Sequence, residues 1–309
     1  MGILLSVLET ALPVFVMLGM GMLCRSKSFL TRDGVDTLKK VVISLTLPFA
    51  LFSAFATAEY SLSAVIAPAV MFAVNGVMLA LGFLIIRLAK SKSKAFPFLG
   101  ACFEAGMLGL PLFALLFPEE NISRFAILML GNDLFVFTLY KTLLVGKADG
   151  KAIVKDLLTS PTLIGVLLGL LVGATGLYAQ LHTWGIGPIV DSVTDFVSAP
   201  TAAIILLCMG YDFVPKEIPW KKTAGLIAMR LGISGVMLAL LLFLNHAVLG
   251  TMLFPGALII LFILPPPFLI PVVANEASER ADLSATISAM TLLTMLLFAL
   301  LCCVFPVGA

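Results

Sequence analysis

The stretch Leu264-Pro265-Pro266-Pro267-Phe268-Leu269-Ile270-Pro271 lies inside an apolar run, Leu249–Ala274, that is long enough to cross a bilayer. Three consecutive prolines cannot continue an α-helix, because each lacks a backbone donor and its ring clashes with the preceding turn. A second stretch, Phe103-Glu104-Ala105-Gly106-Met107-Leu108-Gly109-Leu110-Pro111, lies inside another such run, Ala95–Phe117. There Gly106 and Gly109 relax the backbone and Pro111 removes a donor. Both runs are expected to break near mid-membrane. Backbone groups freed at that depth are tolerated only against protein or a wet cavity.

Composition supports the membrane reading. The 309 residues are 61% hydrophobic and 12% charged, with a mean hydropathy of +1.15. Soluble domains run near 45–50% apolar and about 25% charged. Too few charges remain to cover a water-facing surface, which excludes secreted disulfide modules, nucleic-acid binders and cytosolic enzymes. The five cysteines, Cys24, Cys102, Cys208, Cys302 and Cys303, sit in apolar stretches without metal or redox spacing. No cofactor and no metal are expected. The first apolar run has no Lys or Arg before it and no small-residue cleavage site, so it reads as a retained span.

Ten runs qualify as spans: Ile3–Leu23, Val35–Ala56, Ala64–Leu88, Ala95–Phe117, Phe125–Val145, Pro161–Leu177, Ile189–Tyr211, Lys222–Leu244, Leu249–Ala274 and Leu283–Phe305. Barrel-type alternation is absent, so the spans are helical. Of the 19 Lys and Arg residues, all but Arg124 and Arg230 fall on one side, in the loops after spans 1, 3, 5, 7 and 9. They include Lys147, Lys151, Lys155 and Lys216. Basic loops stay in the cytoplasm, which places both termini outside a cytoplasmic (inner) membrane.

The basic loop near residues 148–160 divides the chain into a five-span repeat over 1–147 and a second over 161–309, with the loop as a cytoplasmic linker. Helix breakers recur in register. Thr46-Leu47-Pro48 in span 2 answers Ser198-Ala199-Pro200 in span 7, and Gly109-Leu110-Pro111 answers Pro265-Pro266-Pro267. An odd number of spans per repeat inverts the second repeat. The expected fold is an all-α polytopic membrane protein of ten helices in two inverted repeats, with helices 4 and 9 broken, the architecture of secondary transporters. A purely structural kink in either helix is the alternative.

Charges at mid-membrane cost about 2.5–3.5 kcal/mol on insertion scales, so they usually carry a role. Half-helices starting after each break present partly positive N-termini, which together favour a carboxylate. Ala105, Gly106, Gly109, Pro111, Pro265, Pro266 and Pro267 line the expected substrate position, with Asn75 and Asn132 from neighbouring spans. Glu104 is a candidate proton carrier, or a protonated structural Glu bonded to freed backbone. Asp133 either shares the site, pairs with Arg230 or makes a helix–helix polar bond. Arg230 lies about 12 Å into span 8 at 1.5 Å per residue. It either snorkels to the cytoplasmic interface or faces the site as a counter-charge.

With Cys102-Phe103-Glu104-Ala105-Gly106-Met107-Leu108-Gly109-Leu110-Pro111-Leu112 in span 4 and Leu264-Pro265-Pro266-Pro267 in span 9, the chain resembles the auxin efflux carrier family. That family includes plant PIN proteins and bacterial malonate-type organic-anion carriers. The resemblance extends to Leu47-Pro48-Phe49-Ala50-Leu51-Phe52, Ser160-Pro161-Thr162-Leu163-Ile164, and Ala199-Pro200 with Gly210. It implies helices 4 and 9 crossing at their prolines with substrate beside them. It also implies a scaffold of helices 1, 2, 6 and 7, often dimeric, and a moving domain of helices 3–5 and 8–10 working by an elevator mechanism. Termini outside fit this family better than the bile acid–sodium symporters. Where the family carries Asn and then Thr in span 4, this chain has Glu104 and Ala105. The departure points to proton coupling or to a substrate other than a simple anion.

The expected function is secondary transport of a small organic anion, a malonate-like mono- or dicarboxylate, with proton or sodium coupling, by a homodimer in the lipid bilayer. A channel or sensor on a carrier-like fold, and a carrier for a non-anionic solute, are the alternatives. A nucleotide-binding Gly-x-x-x-x-Gly-Lys-[Ser/Thr] loop is absent. An intramembrane protease would need a Gly-x-Gly-Asp motif, which Gly131-Asn132-Asp133 and Tyr211-Asp212 do not supply. No enzymatic activity is expected.

Overall fold

A computed structural model describes residues 2–58, 60, 62–91, 93–146, 159–213, 220–268, 270–271 and 277–305. Most of the 148–160 linker, Lys147, Lys151, Lys155, Lys216, and the end of the ninth span at 272–274 lie outside these residues.

The described residues form helices joined by short turns. In chain order the helices are α1 (Gly2–Ser26), α2 (Arg32–Val41), α3 (Leu47–Ala56), α4 (Leu62–Leu88), α5 (Leu110–Leu116), α6 (Ser123–Phe135), α7 (Lys141–Val145), α8 (Pro161–Ala174), α9 (Leu177–Thr183), α10 (Gly187–Ser198), α11 (Thr201–Asp212), α12 (Trp220–Ala247), α13 (Pro255–Ile263) and α14 (Ala277–Val304). Seven helices, some built of consecutive segments, are long and apolar enough to cross a membrane, and an eighth forms if α8 and α9, bent by 69°, count as one span. The protein is therefore an all-helical, multi-pass membrane protein. The expected first span corresponds to α1, 25 residues long. The expected ninth is only the nine-residue α13 before its break, so length alone does not make it a crossing helix.

Wide π-turns recur where proline has to be absorbed. One, Val42–Thr46, runs directly into Leu47-Pro48. Another, Ala105–Gly109, runs directly into Leu110-Pro111. Each proline then occupies the first turn of the following helix, where its missing N–H has the least effect. The interruption of the fourth span therefore does not lie at Pro111. It lies seven residues earlier, between the 3₁₀ turn Phe96–Gly100 and the π-turn at Ala105. The ninth span does break at its prolines, with residues 264–268 non-helical.

Two helix pairs in contact are α1 with α11 and α3 with α8. Both are made possible by glycine. A Cβ on Gly210 would lie 2.0 Å from the Leu18 carbonyl oxygen, and one on Gly165 would lie 2.3 Å from that of Pro48. Backbones this close leave no room for a side chain, and dispersion over the whole contact replaces the missing hydrophobic drive. A second group forms around α4, α6, α12, α13 and α14, and it meets the first where α14 packs against α1 and α6 against α3. On the basic side, Asp212 at the end of α11 bonds Arg32, at 2.6 Å, and Lys39. Lys222 of α12 pairs with Asp282 of α14.

Candidate functional site

The backbone from Ala101 to Glu104 is unwound. Cys102 takes a left-handed φ of +58°, uncommon for a residue with a side chain. Cys102 is itself fully buried. An unwound segment in apolar surroundings leaves amides and carbonyls that need partners. Two fully buried asparagines meet that need. Asn75, from the middle of α4, accepts from the Cys102 N–H at 3.2 Å. Asn132, from α6, accepts from the Phe103 N–H at 3.0 Å and donates to the Phe103 carbonyl, also at 3.0 Å. Asn75 donates to Asn132 at 3.3 Å, which joins the two helices behind the break. Asn132 also donates to the Asp133 carboxylate at 3.0 Å.

The second break is tied to the first on both sides. On one side, Glu104 donates its N–H to the Pro265 carbonyl at 2.9 Å. Its carboxylate accepts the Phe268 N–H at 2.9 Å. That amide belongs to the turn leading out of the prolines. On the other side stands Arg230. Its Nη2 donates to the Cys102 carbonyl at 2.7 Å and the Leu264 carbonyl at 3.1 Å, and its Nη1 to Leu99 at 3.4 Å. The guanidinium also lies 4.6 Å from the centre of the Phe103 ring.

Arg230 is thus 3% exposed and turned inward. Of the two positions open to it from the sequence, the structure has the inward one. Among the described residues it makes no ion pair with Asp133, whose carboxylate takes the Asn132 amide instead. The five donors of a guanidinium suit it to gather several carbonyls at once.

Of the expected substrate-lining residues, Ala105, Gly109, Pro111 and Pro265–Pro267 are buried, while Gly106 and Glu104 are half-buried. The turn Ala105–Gly109 packs against α11 and α6. A Cβ on Gly106 would sit 3.6 Å from Leu47 Cδ2, which is ordinary contact. Nearby, Thr201 donates to Thr46 at 2.8 Å, joining the residue after Pro200 to the one before Leu47-Pro48. The Phe268 amide, the Phe103 ring and this threonine pair carry no sequence signal of their own. Each becomes visible only once the two breaks are brought together.

A multi-pass helical membrane protein with two interrupted helices, joined through a half-buried carboxylate and a buried guanidinium, is the class that fold and site define. The chain matches, over residues 6–154 and so just under half of its length, the family model described as membrane transport protein. It is also similar to an uncharacterized transporter of Methanothermobacter thermautotrophicus, at 24% identity over 210 residues. That alignment covers 65% of this chain and 66% of the relative, so the chain spans just under two thirds of the relative's length.

Proposed function

We propose that the protein is a secondary carrier for a small organic anion of the malonate type, with Glu104 exchanging a proton during the cycle. The observation that carries this reading is the coupling of the two breaks through one ionisable side chain. Glu104 reaches the ninth span with both its backbone N–H and its carboxylate. The Phe268 amide that it occupies is the kind of donor a substrate carboxylate would take. A protonated Glu104 gives up that charge-assisted bond and leaves room for an external carboxylate, so proton binding and anion binding favour each other.

The architecture proposed with it is ten helices in two inverted repeats, divided near residues 148–160. The contacts α1–α11 and α3–α8 support it. Under an exchange of repeats, span 1 maps onto span 6 and span 2 onto span 7, so one contact maps onto the other. These four spans would form the scaffold, as a homodimer, and the group around α4, α6, α12, α13 and α14 would move across the membrane as an elevator. Both termini would face outward from the cytoplasmic membrane, by the distribution of Lys and Arg.

One observation favours a second reading, a cationic or neutral solute. The amide suited to an anion already holds an internal carboxylate, and a charged Glu104 attracts cations. The discriminating experiment is uptake of labelled malonate into proteoliposomes with and without an imposed pH gradient, for wild type and Glu104→Gln. Saturable, gradient-driven uptake in wild type, with the gradient dependence lost in Glu104→Gln, is the expected result. An identical pH profile in the two proteins would remove Glu104 from the coupling path. No malonate uptake by folded wild type would favour the second reading.

A further inference from the structure

Arg230 satisfies only part of its donor set at the two breaks. Its Nη atoms are spent on carbonyls, but its Nε–H has no partner among the described residues. One turn further along α12, the hydroxyl of Ser234, 4% exposed, is also without a partner. Both side chains line a small, partly open cavity of about 20 Å³ between α12, α13 and α14. Thr294 stands on the same wall, but its hydroxyl is committed to the Ile263 and Met290 carbonyls at 2.6 and 3.0 Å. Glu104 does not line this cavity.

The chemistry of the missing ligand follows from the donors. The Arg230 Nε–H can only donate and the Ser234 hydroxyl can donate as well, so a ligand that accepts from both satisfies the pair. Among the described residues no carboxylate lies within ion-pair distance of the guanidinium, and a lone buried cation is costly. A negative ligand therefore relieves more than a neutral one. The small volume suits a compact ligand better than a dicarboxylate such as malonate. The remaining walls, including Ile227, Leu231, Phe262 and Leu297, are apolar, which disfavours strongly hydrated ions such as sulfate. We infer that this cavity is a binding site for one halide ion, held by Arg230 Nε and Ser234 Oγ and separate from the substrate position at Glu104. The ion neutralises Arg230 from behind while the Nη atoms hold the two breaks from the front. It thereby stabilises the group of helices that carries the site.

The test uses purified full-length protein in detergent, with its thermal midpoint followed in sodium chloride, bromide, gluconate and sulfate at equal ionic strength. A ligand that binds only the folded state raises the midpoint in a saturable way. Chloride and bromide are expected to do so, and gluconate and sulfate are not. Ser234→Ala, which removes one donor without adding volume, is expected to raise the half-saturating halide concentration about five-fold. Crystals grown in bromide should show anomalous density between Arg230 and Ser234. Equal midpoints in all four salts, as for a water-filled cavity, would overturn the inference. So would an unchanged halide response in Ser234→Ala, or bromide density absent from the cavity. Because the readout is stability rather than uptake, its failure is distinct from a failure of the transport reading.

Discussion

Replacing Asn132 by Leu removes a polar side chain from the centre of the protein while keeping the same number of heavy atoms and the same branching. In the native structure its amide group holds both main-chain groups of Phe103, each at 3.0 Å. A buried main-chain group without a partner costs about 1–3 kcal/mol. Two such groups set the loss at about 4 kcal/mol, close to a thousand-fold in the folding equilibrium. Of the two remaining bonds, the one from Asn75 at 3.3 Å is long and adds little, whereas the one to the Asp133 carboxylate at 3.0 Å adds to the loss. Leu leaves no cavity, and its larger methyl groups add an overpacking cost to the lost hydrogen bonds. Asn75→Leu strips only the Cys102 N–H of its partner and should cost about half as much. Because the two asparagines touch, the double variant should depart from additivity by about 0.5–1 kcal/mol. Equilibrium unfolding in detergent, followed by the fluorescence of Trp184 and Trp220, measures all three, and proteoliposome uptake reports on the break itself. An Asn132→Leu protein within about 1 kcal/mol of wild type and with unchanged uptake would refute the claim that the asparagines hold the unwound backbone.

Gly210→Ala places a Cβ 2.0 Å from the Leu18 carbonyl oxygen and forces α1 and α11 apart. It should cost about 2–3 kcal/mol in the same unfolding assay, whereas Gly19→Ala, with nothing within 4 Å of its new atom, should be neutral. Tyr60 donates its hydroxyl to the Phe55 carbonyl at 2.6 Å, and burial raises its phenol above the ordinary value. A raised value favours the protonated form in the folded state. The contribution is therefore complete below about pH 10 and is lost as pH rises through the folded value. Tyr60→Phe should flatten that alkaline limb of a stability–pH curve and leave neutral pH unaffected by titration.

Much of the helical architecture is legible in the sequence because proline and long apolar runs act locally. Pro265–Pro267 interrupt the ninth span where the sequence places the interruption. Pro111 misleads for an equally physical reason: the π-turn before it absorbs the missing donor, and the unwinding moves to Cys102, a residue with no propensity for it. Asn75, Asn132 and Glu104 stand out as polar residues in apolar runs, but which groups they bond depends on how α4, α6 and the two breaks come together. The direction of Arg230 is undecided by spacing, because 12 Å of helix is compatible with either end of its long side chain. Its carbonyl partners come from two segments, one 128 and the other 34 positions away, beyond the reach of any local pattern.

The central claim is that the crossing of the two breaks is the site exposed alternately to either face of the membrane. Gly106 has room for a Cβ, so Gly106→Cys, in a chain whose five natural cysteines are replaced by Ala, introduces a reporter there. Its modification by a membrane-impermeant maleimide is measured from each side in oriented vesicles, with and without malonate. The account predicts labelling from both sides, slowed by malonate. Labelling from one side alone, at a rate malonate leaves unchanged, would contradict it.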